Sequence, residues 1–355
     1  MNKNKLSILA IAGILFLFSC KKDDAPAPVT PKVTTGVYEL NQGLYGANNT
    51  MLTYYDFASS TPTTDFFKNV NGFGLGDTGS DFIIYGGKIY IVMNVSGYVA
   101  VADGVTARFI DTISFKNAGK NRGPENVVAS GKNVFVSSTD GTVAVIDTTS
   151  LTIQKFITVG SNPAQMVIAG DYLYVSNTGG FSATYDSTVS IITLNSLTET
   201  GRITVGKNPG SLATDNTGNI YVACTGDYNL TQPSLVKVNI NSNTVVKSIL
   251  LAAGTIRYYN NYLLTTGGYL GAPNVGILNA KDLSSARASF ISDGTTIVNP
   301  YGLDIDPATG DVYVGDAKDY VSSGEVFCFD KTGKKKFSFS SSPGISPFKT
   351  VLVQK

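Results

Sequence analysis

Residues 162–177 read NPAQMVIAGDYLYVSN, which is a short apolar strand, a tight turn at Gly170-Asp171 and a second strand containing Tyr-Val. A polar turn between two short apolar runs is typical of a β-hairpin. Four further segments align with this one, and a degenerate copy without the proline follows the same pattern. They are SDFIIYGGKIYIVMN (80–94), RGPENVVASGKNVFVSS (122–138), NPGSLATDNTGNIYVAC (208–224), NPYGLDIDPATGDVYVG (299–315) and the degenerate GTIRYYNNYLLTTGG (254–268). The chain therefore contains an internal repeat.

Each copy is followed by a second hairpin, so the repeating unit is four antiparallel strands. Examples of the second hairpin are TVAVIDTTSLTIQKFITVG (142–160) and TVSIITLNSLTETGRITVG (188–206). The prolines mark the period, because Pro124, Pro163 and Pro209 lie 39 and 46 residues apart. A four-stranded unit that repeats at this interval is typical of a β-propeller blade.

The two ends of the repeat region predict how the ring closes. Residues 346–353, SPFKTVLV, match the first strand of a blade, and no further strand follows them. Residues 36–40, GVYEL, match a second strand. The last strand should therefore complete the first blade and cover two sheet edges that would otherwise be exposed. With first strands near residues 82, 126, 166, 212, 257, 302 and 350, the sequence predicts an all-β fold, a seven-bladed β-propeller over residues 36–355.

The N-terminal residues have the pattern of a secretory signal. Lys3 and Lys5 precede an apolar run that ends at Phe18, and Ser19 is a small residue at the expected cleavage site. We therefore assign residues 1–19 to a signal peptide, which is too short for a permanent membrane-spanning helix. The run Leu17-Phe18-Ser19-Cys20 resembles the bacterial lipobox, which implies a lipidated Cys20 anchored by its acyl chains. The alternative is a secreted protein with an incidental cysteine.

The residues after Cys20 indicate a location and a tether. Lys21-Lys22-Asp23-Asp24 resembles the export tag of Bacteroidota surface lipoproteins, which implies anchoring in the outer membrane with the extracellular side exposed. Residues 25–35, APAPVTPKVTT, are rich in Pro, Ala and Thr. We expect residues 20–35 to form the lipidated cysteine and an extended tether.

The composition excludes several classes of function. The chain has no histidine, which rules out a Ser-His-Asp triad, a Cys-His pair and histidine-ligated metal sites. Its formal net charge is +1 and it has no basic stripe, so nucleic acid is not an expected partner. Cys224 and Cys328 each lie in an apparent strand, which favours buried free thiols, although a disulfide between them stays open.

The repeat resembles a known group of proteins. Tyr174-Val175-Ser176-Asn177, with Asn162-Pro163 ahead of it, resembles the YVTN type of β-propeller repeat. The opening GVYELNQGLYGANNTMLTYYD (36–56) resembles the start of lipid-anchored propellers of Bacteroidota. Some relatives of that group capture cobalamin at the cell surface and pass it to an outer-membrane transporter. The resemblance thus implies a surface lipoprotein, with a corrinoid such as cobalamin as the leading candidate ligand.

The candidate binding residues lie in the longer loops. In a propeller, the loops that join second and third strands share one face with the loops that lead into the first strands. The former run over residues 41–50, 177–187, 225–233, 267–273 and 316–323 and carry aromatics among small polar residues, which is typical of an adaptable binding surface. These aromatics are Tyr45, Phe181, Tyr185, Tyr228, Tyr269 and Tyr320. The lead-in loops add Arg122, Arg257, Asn299 and Tyr301, which can meet polar or anionic groups. The alternative is that the rings reflect strand composition and point into the blades.

Three functions are compatible with these features. The favoured one is a surface module that captures a small-molecule ligand, with a corrinoid such as cobalamin as the leading candidate and a transporter as a partner. The second is a scaffold or adhesion module that binds other proteins. An enzyme is disfavoured, because the propeller enzymes considered depend on histidine or on dense acidic metal clusters. We expect no cofactor, no metal site and a chain that is monomeric by itself.

Overall fold

Seven four-stranded antiparallel sheets account for nearly all strands in the described part of the chain, residues 33–180, 184–268 and 270–355 of the computed structural model. The signal peptide, Cys20 and the tether up to residue 32 lie outside the described residues, as do Phe181 and Tyr269. In the described residues, each sheet is one blade of a propeller. The predicted fold class is confirmed.

In six of the seven blades, the four strands follow one another directly along the chain. The chain opens with β1 (Thr34–Asn41), β2 (Met51–Asp56), β3 (Thr61–Thr63) and the helix α1 (Phe66–Asn71). Blade two is β4 (Gly79–Tyr85), β5 (Lys88–Met93), β6 (Tyr98–Asp103) and β7 (Phe109–Ser114), followed by the small hairpin β8 (Lys116–Asn117) and β9 (Lys120–Asn121). Blade three is β10 (Pro124–Ser130), β11 (Asn133–Ser138), β12 (Thr142–Asp147) and β13 (Ile153–Thr158). Blade four is β14 (Pro163–Ala169), β15 (Tyr172–Asn177), β16 (Thr188–Thr193) and β17 (Thr198–Thr204).

The remaining blades repeat this order. Blade five is β18 (Pro209–Thr214), β19 (Asn219–Cys224), β20 (Ser234–Asn239) and β21 (Thr244–Leu250). Blade six is β22 (Ile256–Tyr259), β23 (Tyr262–Thr266), β24 (Val275–Asn279) and β25 (Ser285–Arg287). Blade seven is β26 (Pro300–Ile305), β27 (Val312–Asp316), β28 (Ser323–Phe329) and β29 (Lys335–Ile345), and the chain ends with β30 (Pro347–Gln354).

The ring closes as the sequence predicts. Strand β30 pairs antiparallel with β1, with Tyr38 opposite Val351 and Glu39 opposite Thr350. Blade one therefore has the order β3-β2-β1-β30 and contains both ends of the described chain. Each first strand also contacts the first strands of both neighbouring blades, so β4, β10, β14, β18, β22, β26 and β30 surround a common axis.

The core lies between the blades. Within the described ranges, the buried apolar side chains form seven clusters, each built from two adjacent blades. One of them joins Val37 and Tyr55 of blade one to Val326 and Phe339 of blade seven. Because every sheet buries its faces against its neighbours, each blade depends on the closed ring for its stability.

Local chemistry sets the start of the first strands. Asn162 and Asn208 precede the prolines of β14 and β18 and have φ angles of 48° and 54°. Asparagine tolerates this left-handed region better than most residues. Asn162-Pro163 and Asn208-Pro209 are thus the points at which the chain enters two of the inner strands.

Three features complete the description. Helix α1 and the hairpin β8–β9 were not predicted, and α1 packs Phe67 into the core between blades one and two. Cys224 and Cys328 are free and buried, so the thiol interpretation is confirmed. In the part of the chain that the structure describes, no helix is long and apolar enough to cross a membrane.

Candidate ligand-binding site

A cavity of about 340 Å³ opens at the centre of the long-loop face. Its inner lining comes from the first residues of β10, β14, β18, β26 and β30 and from the loop that leads into β22, so six blades contribute to it. Its outer lining comes from the loops after β19, β23 and β27. The size lies at the lower end of the range usual for small-molecule sites.

One wall of the cavity is aromatic. The ring of Tyr301 packs edge-on against Tyr320, with centroids 5.4 Å apart, and lies 5.2 Å from that of Phe348. The Tyr301 hydroxyl donates a hydrogen bond to Gln42 Oε1 at 3.0 Å. Burial, assisted by Tyr320 and Glu125, raises the pKa of Tyr301 to about 12. Tyr301 is therefore a fixed, neutral part of this wall.

Two tyrosines of the cavity have an unusual backbone conformation. Tyr228 and Tyr320 have φ angles of 58° and 63°. Bulky residues rarely occupy this region, and such conformations are concentrated at functional sites. Tyr228 is 53% exposed and lies 6.0 Å from the ring of Tyr185, so the loops after β15 and β19 bring these two rings together.

A carboxyl group lies at the inner end of the cavity. Glu125, the second residue of β10, accepts a hydrogen bond at Oε2 from Asn94 Nδ2 at 2.7 Å. Burial is the main cause that raises its pKa to about 7, and the negative charge of Asp81 adds to the effect. The hydrogen bond from Asn94 acts in the opposite direction.

Below the cavity, polar side chains join successive first strands. Asp81 Oδ2 accepts from the Val127 amide at 3.0 Å, and Asn126 Oδ1 accepts from the Met166 amide at 2.8 Å. Gln165 Oε1 continues the pattern toward Leu212. We call this set the axial belt, and its members are Asp81, Asn126, Gln165, Ser211, Arg257 and Asp304.

The axial belt ends in a cluster of charged groups. Asp304 Oδ1 accepts from Arg257 Nη2 at 3.1 Å and from Lys349 Nζ at 3.0 Å, and its Oδ2 accepts from the Thr350 amide at 2.8 Å. Thr350 Oγ1 in turn donates to Glu39 Oε2. The belt therefore links blade two around the axis to blade one, and it forms the rigid base of the cavity.

The structure brings some of the predicted residues to this cavity and places others elsewhere. Tyr228, Tyr301 and Tyr320 line it, and Tyr185 and Asn299 contact them through the Tyr185–Tyr228 ring pair and a hydrogen bond from the Tyr320 hydroxyl to Asn299 Oδ1 at 3.4 Å. The side chain of Tyr45 is 85% exposed and outside the lining. The ligand-binding role of all these residues stays a prediction.

The two arginines of the predicted set are engaged with carboxylates. Arg122 forms an ion pair with Asp140, and its guanidinium lies 4.0 Å from the ring centroid of Phe156. Arg257 points into the axial belt and pairs with Asp304. Neither arginine lines the cavity.

Sequence reasoning did not find Glu125, Gln165 or Phe348. Each of them follows the proline that opens a first strand, by one residue for Glu125 and Phe348 and by two for Gln165. Because these positions face the axis in several blades, the aligned repeat itself contained the signal. The long loops are richer in aromatic side chains and therefore gave the stronger signal for a binding site.

Other cavities lie at the opposite, hairpin-turn ends of the blades. One of about 650 Å³ lies between blades five and six. Its polar groups are largely satisfied within the protein, since the Tyr221 hydroxyl and Lys237 Nζ both donate to the carbonyl of Ala280. Among the described residues, no group of three or more Cys, Asp or Glu side chains is placed to hold a metal ion.

Comparisons with known proteins agree on the fold. A protein family described as "Domain of unknown function (DUF5074)" matches residues 35–341. No curated protein matches the sequence. A quinonprotein alcohol dehydrogenase-like protein from Bacteroides thetaiotaomicron is 14% identical, with 91% of this chain and 79% of that chain covered and a TM-score of 0.66.

Two further solved structures are similar. Hydrazine synthase of Kuenenia stuttgartiensis is 17% identical, with 71% of this chain and 76% of that chain covered and a TM-score of 0.56. The computationally designed Ika8 protein is 11% identical, with 85% and 87% covered and a TM-score of 0.55. At these identities the likeness concerns the fold alone.

Proposed function

Because the chain belongs to the family described as a domain of unknown function (DUF5074), we propose its function from its own cavity: it is a binding protein that holds a ligand at the centre of the long-loop face. A β-propeller is consistent with a binding or scaffold role. The observation that carries the proposal is the convergence of Tyr228, Tyr301, Tyr320 and Phe348 on one cavity with a carboxyl group at its inner end. A few convergent polar groups in an otherwise apolar and aromatic pocket are the usual features of a small-molecule site.

The finer proposal concerns the ligand. The resemblance of residues 36–56 to the start of lipid-anchored propellers of Bacteroidota makes a corrinoid such as cobalamin the leading candidate. The chain has no histidine to offer the cobalt, so the corrinoid would be held through its amides, its ring edge and its nucleotide tail. With a cavity of about 340 Å³, one end of such a ligand would enter while its body lies across the surrounding loops.

The proposal includes a location. The pattern of residues 1–24 supports a lipoprotein that is anchored through Cys20 in the outer membrane and faces the extracellular side. In that position the protein would capture its ligand from the medium and pass it to an outer-membrane transporter. We propose that it acts as a binding protein and not as an enzyme.

Calorimetric titration with cobalamin and cobinamide tests the ligand. We expect saturable binding, weakened about tenfold or more by Tyr320→Ala, because a central aromatic contact is removed. Tyr262→Ala is the matched control, since Tyr262 is similarly exposed but lies at a hairpin turn. If neither compound gives a heat of binding at about 0.5 mM, a corrinoid is excluded as the ligand. Equal losses in the two variants would place the site elsewhere.

A second candidate function is a protein-binding scaffold. Around the cavity, the long-loop face exposes further apolar side chains, including Tyr45 and Leu230, each 85% exposed. Clusters of exposed apolar groups often mark interaction sites. Affinity capture from native outer membranes, with the long loops intact or shortened, separates this role from ligand capture. Retention of the same partner after the loops are shortened would argue against this face.

A further inference from the structure

The described lining of the cavity has an acidic side chain but no basic side chain to balance its charge. Among the described residues that line it, Glu125 is the only one with a carboxyl group, and none has a basic side chain. The cationic groups of Arg257 and Lys349 both bind Asp304 of the axial belt. The one lining side chain that can carry a charge near neutral pH is therefore an acid.

Glu125 has a free acceptor atom. Its Oε2 accepts from Asn94, whereas its Oε1 has no hydrogen-bond partner among the described residues. The side chain is half-buried, so a ligand group can reach it from the cavity. A desolvated carboxylate with an open lone pair favours a hydrogen-bond donor, and most strongly a cationic one.

The walls of the cavity are suited to contact an apolar part of a ligand. Tyr228, Tyr301, Tyr320 and Phe348 provide aromatic surface, and the remaining lining is mostly Gly, Ala and Thr. Aromatic faces also attract cations and the polarised C–H groups next to them. The described lining has no Lys or Arg, so an anionic group would meet neutral donors but no cation to pair with.

We propose that the cavity recognises an N–H donor group of its ligand, in its strongest form a protonated amine, with Oε1 of Glu125 as the acceptor and the tyrosines and Phe348 packed around the attached apolar body. This rests on the proposed function only in requiring that a ligand enters the cavity, and it does not require a corrinoid. Recognition of an amine makes binding depend on the ionisation of Glu125.

The groups around Glu125 set the direction of that dependence. Asp81 on β4 repels the Glu125 carboxylate, Asn94 after β5 donates to it, and Tyr301 and Tyr320 lie across the cavity. Lys88, on β5, donates to the Thr148 carbonyl, and β11 and β14 carry no ionisable side chain. Because the pKa of Glu125 is raised to about 7, its charge and the attraction for an amine are lost below that pH.

Three small probes of similar shape test the proposal: 2-phenylethylamine, 2-phenylethanol and phenylacetate. The chain has four glutamates, so the carboxyl signals of ¹³C-glutamate-labelled protein are few enough to assign by Glu125→Gln. At about pH 8 we expect the amine to bind most tightly and to lower the pKa of Glu125. Glu125→Gln should weaken the amine about tenfold or more and leave the alcohol within about twofold.

Asp81→Asn provides a second variant that does not alter the cavity lining. It removes the neighbouring charge, so the pH midpoint for amine binding should move downward. Binding of the alcohol that is weakened by Tyr320→Ala would support the proposed binding site. If the amine then binds no more tightly than the alcohol or the acid, the inference fails while the proposed site stands. If none of the three probes binds at about 20 mM, the inference fails, and the proposed function then depends on the titration with cobalamin and cobinamide alone.

Discussion

Single residues near the axis combine burial with charge. Glu39, on β1, occupies a position that corresponds to Val175 of blade four and Val222 of blade five. It is buried, and its Oε1 has no hydrogen-bond partner within the described ranges. Burial raises its pKa to about 8, while the hydrogen bond from Thr350 lowers it and the charge of Asp304 raises it further. Glu39 is thus protonated in the folded protein at neutral pH.

This shift predicts the pH dependence of stability. The folded chain keeps a proton on Glu39 up to about pH 8, whereas the unfolded chain releases it near the ordinary glutamate pKa of 4.5. The free energy of unfolding should therefore fall as the pH rises from about 5 to 8. Glu39→Gln removes this ionisation, so at about pH 9 the variant should melt several degrees above the unmodified protein.

Thermal unfolding at several pH values checks the expectation. Glu199→Gln is the control, because Glu199 lies on the outer strand β17 and pairs with Arg202 at the surface. Its profile should run parallel to that of the unmodified protein. A Glu39→Gln profile that is also parallel would contradict the assignment.

At the scale of elements, the axial belt joins adjacent blades through side-chain hydrogen bonds, as backbone hydrogen bonds join the strands within a blade. First strands of adjacent blades are not paired as sheets, so side chains must satisfy their inward amides. Asn126 holds two such links, because it donates to Asp81 and accepts from the Met166 amide. A buried network of this kind is costly to break at any one member.

Asn126→Leu tests the belt. It leaves the Met166 amide without its acceptor and removes one of the two hydrogen bonds that Asp81 Oδ2 accepts, and we expect a loss of about 2–4 kcal/mol in the free energy of unfolding. Urea denaturation measures this loss. Asn117→Leu, on the exposed hairpin β8–β9, should change stability by less than about 0.5 kcal/mol. Equal losses in the two variants would show that the belt does not stabilise the ring.

At the scale of the molecule, stability depends on closure. Strand β30 supplies the inner strand of blade one, and it places Lys349 and Thr350 on Asp304 of blade seven. Removing it would expose the edge of β1 and the inner parts of two core clusters. The same strand supplies Phe348 to the cavity, so closure and binding share one element.

A chain that lacks residues 346–355 should therefore melt far below the full chain, or without a single cooperative transition. Calorimetry measures the transition, and addition of a peptide with residues 344–355 should partly restore it. An unchanged melting temperature in the truncated chain would contradict closure by β30.

The sequence by itself determined the architecture, because strands, turns and their spacing are local patterns that repeat. The repeats that align with residues 162–177, and the prolines that open five of the seven inner strands, were sufficient to predict blade number, strand order and the closing strand. Of the candidate site, Tyr228, Tyr301 and Tyr320 could be predicted from their loops. Tyr45 belongs to a similar loop and lies outside the cavity, because loop composition does not set the direction of a side chain.

Only the tertiary structure decided which groups converge and which charges remain free. Glu125 and Phe348 are distant in sequence and meet because their strands surround one axis. The charge of Arg257 is already used by Asp304, which no local pattern reveals. The physical reason is that the position and the pairing of the side chains that line the cavity depend on contacts between blades, which form only when the ring closes.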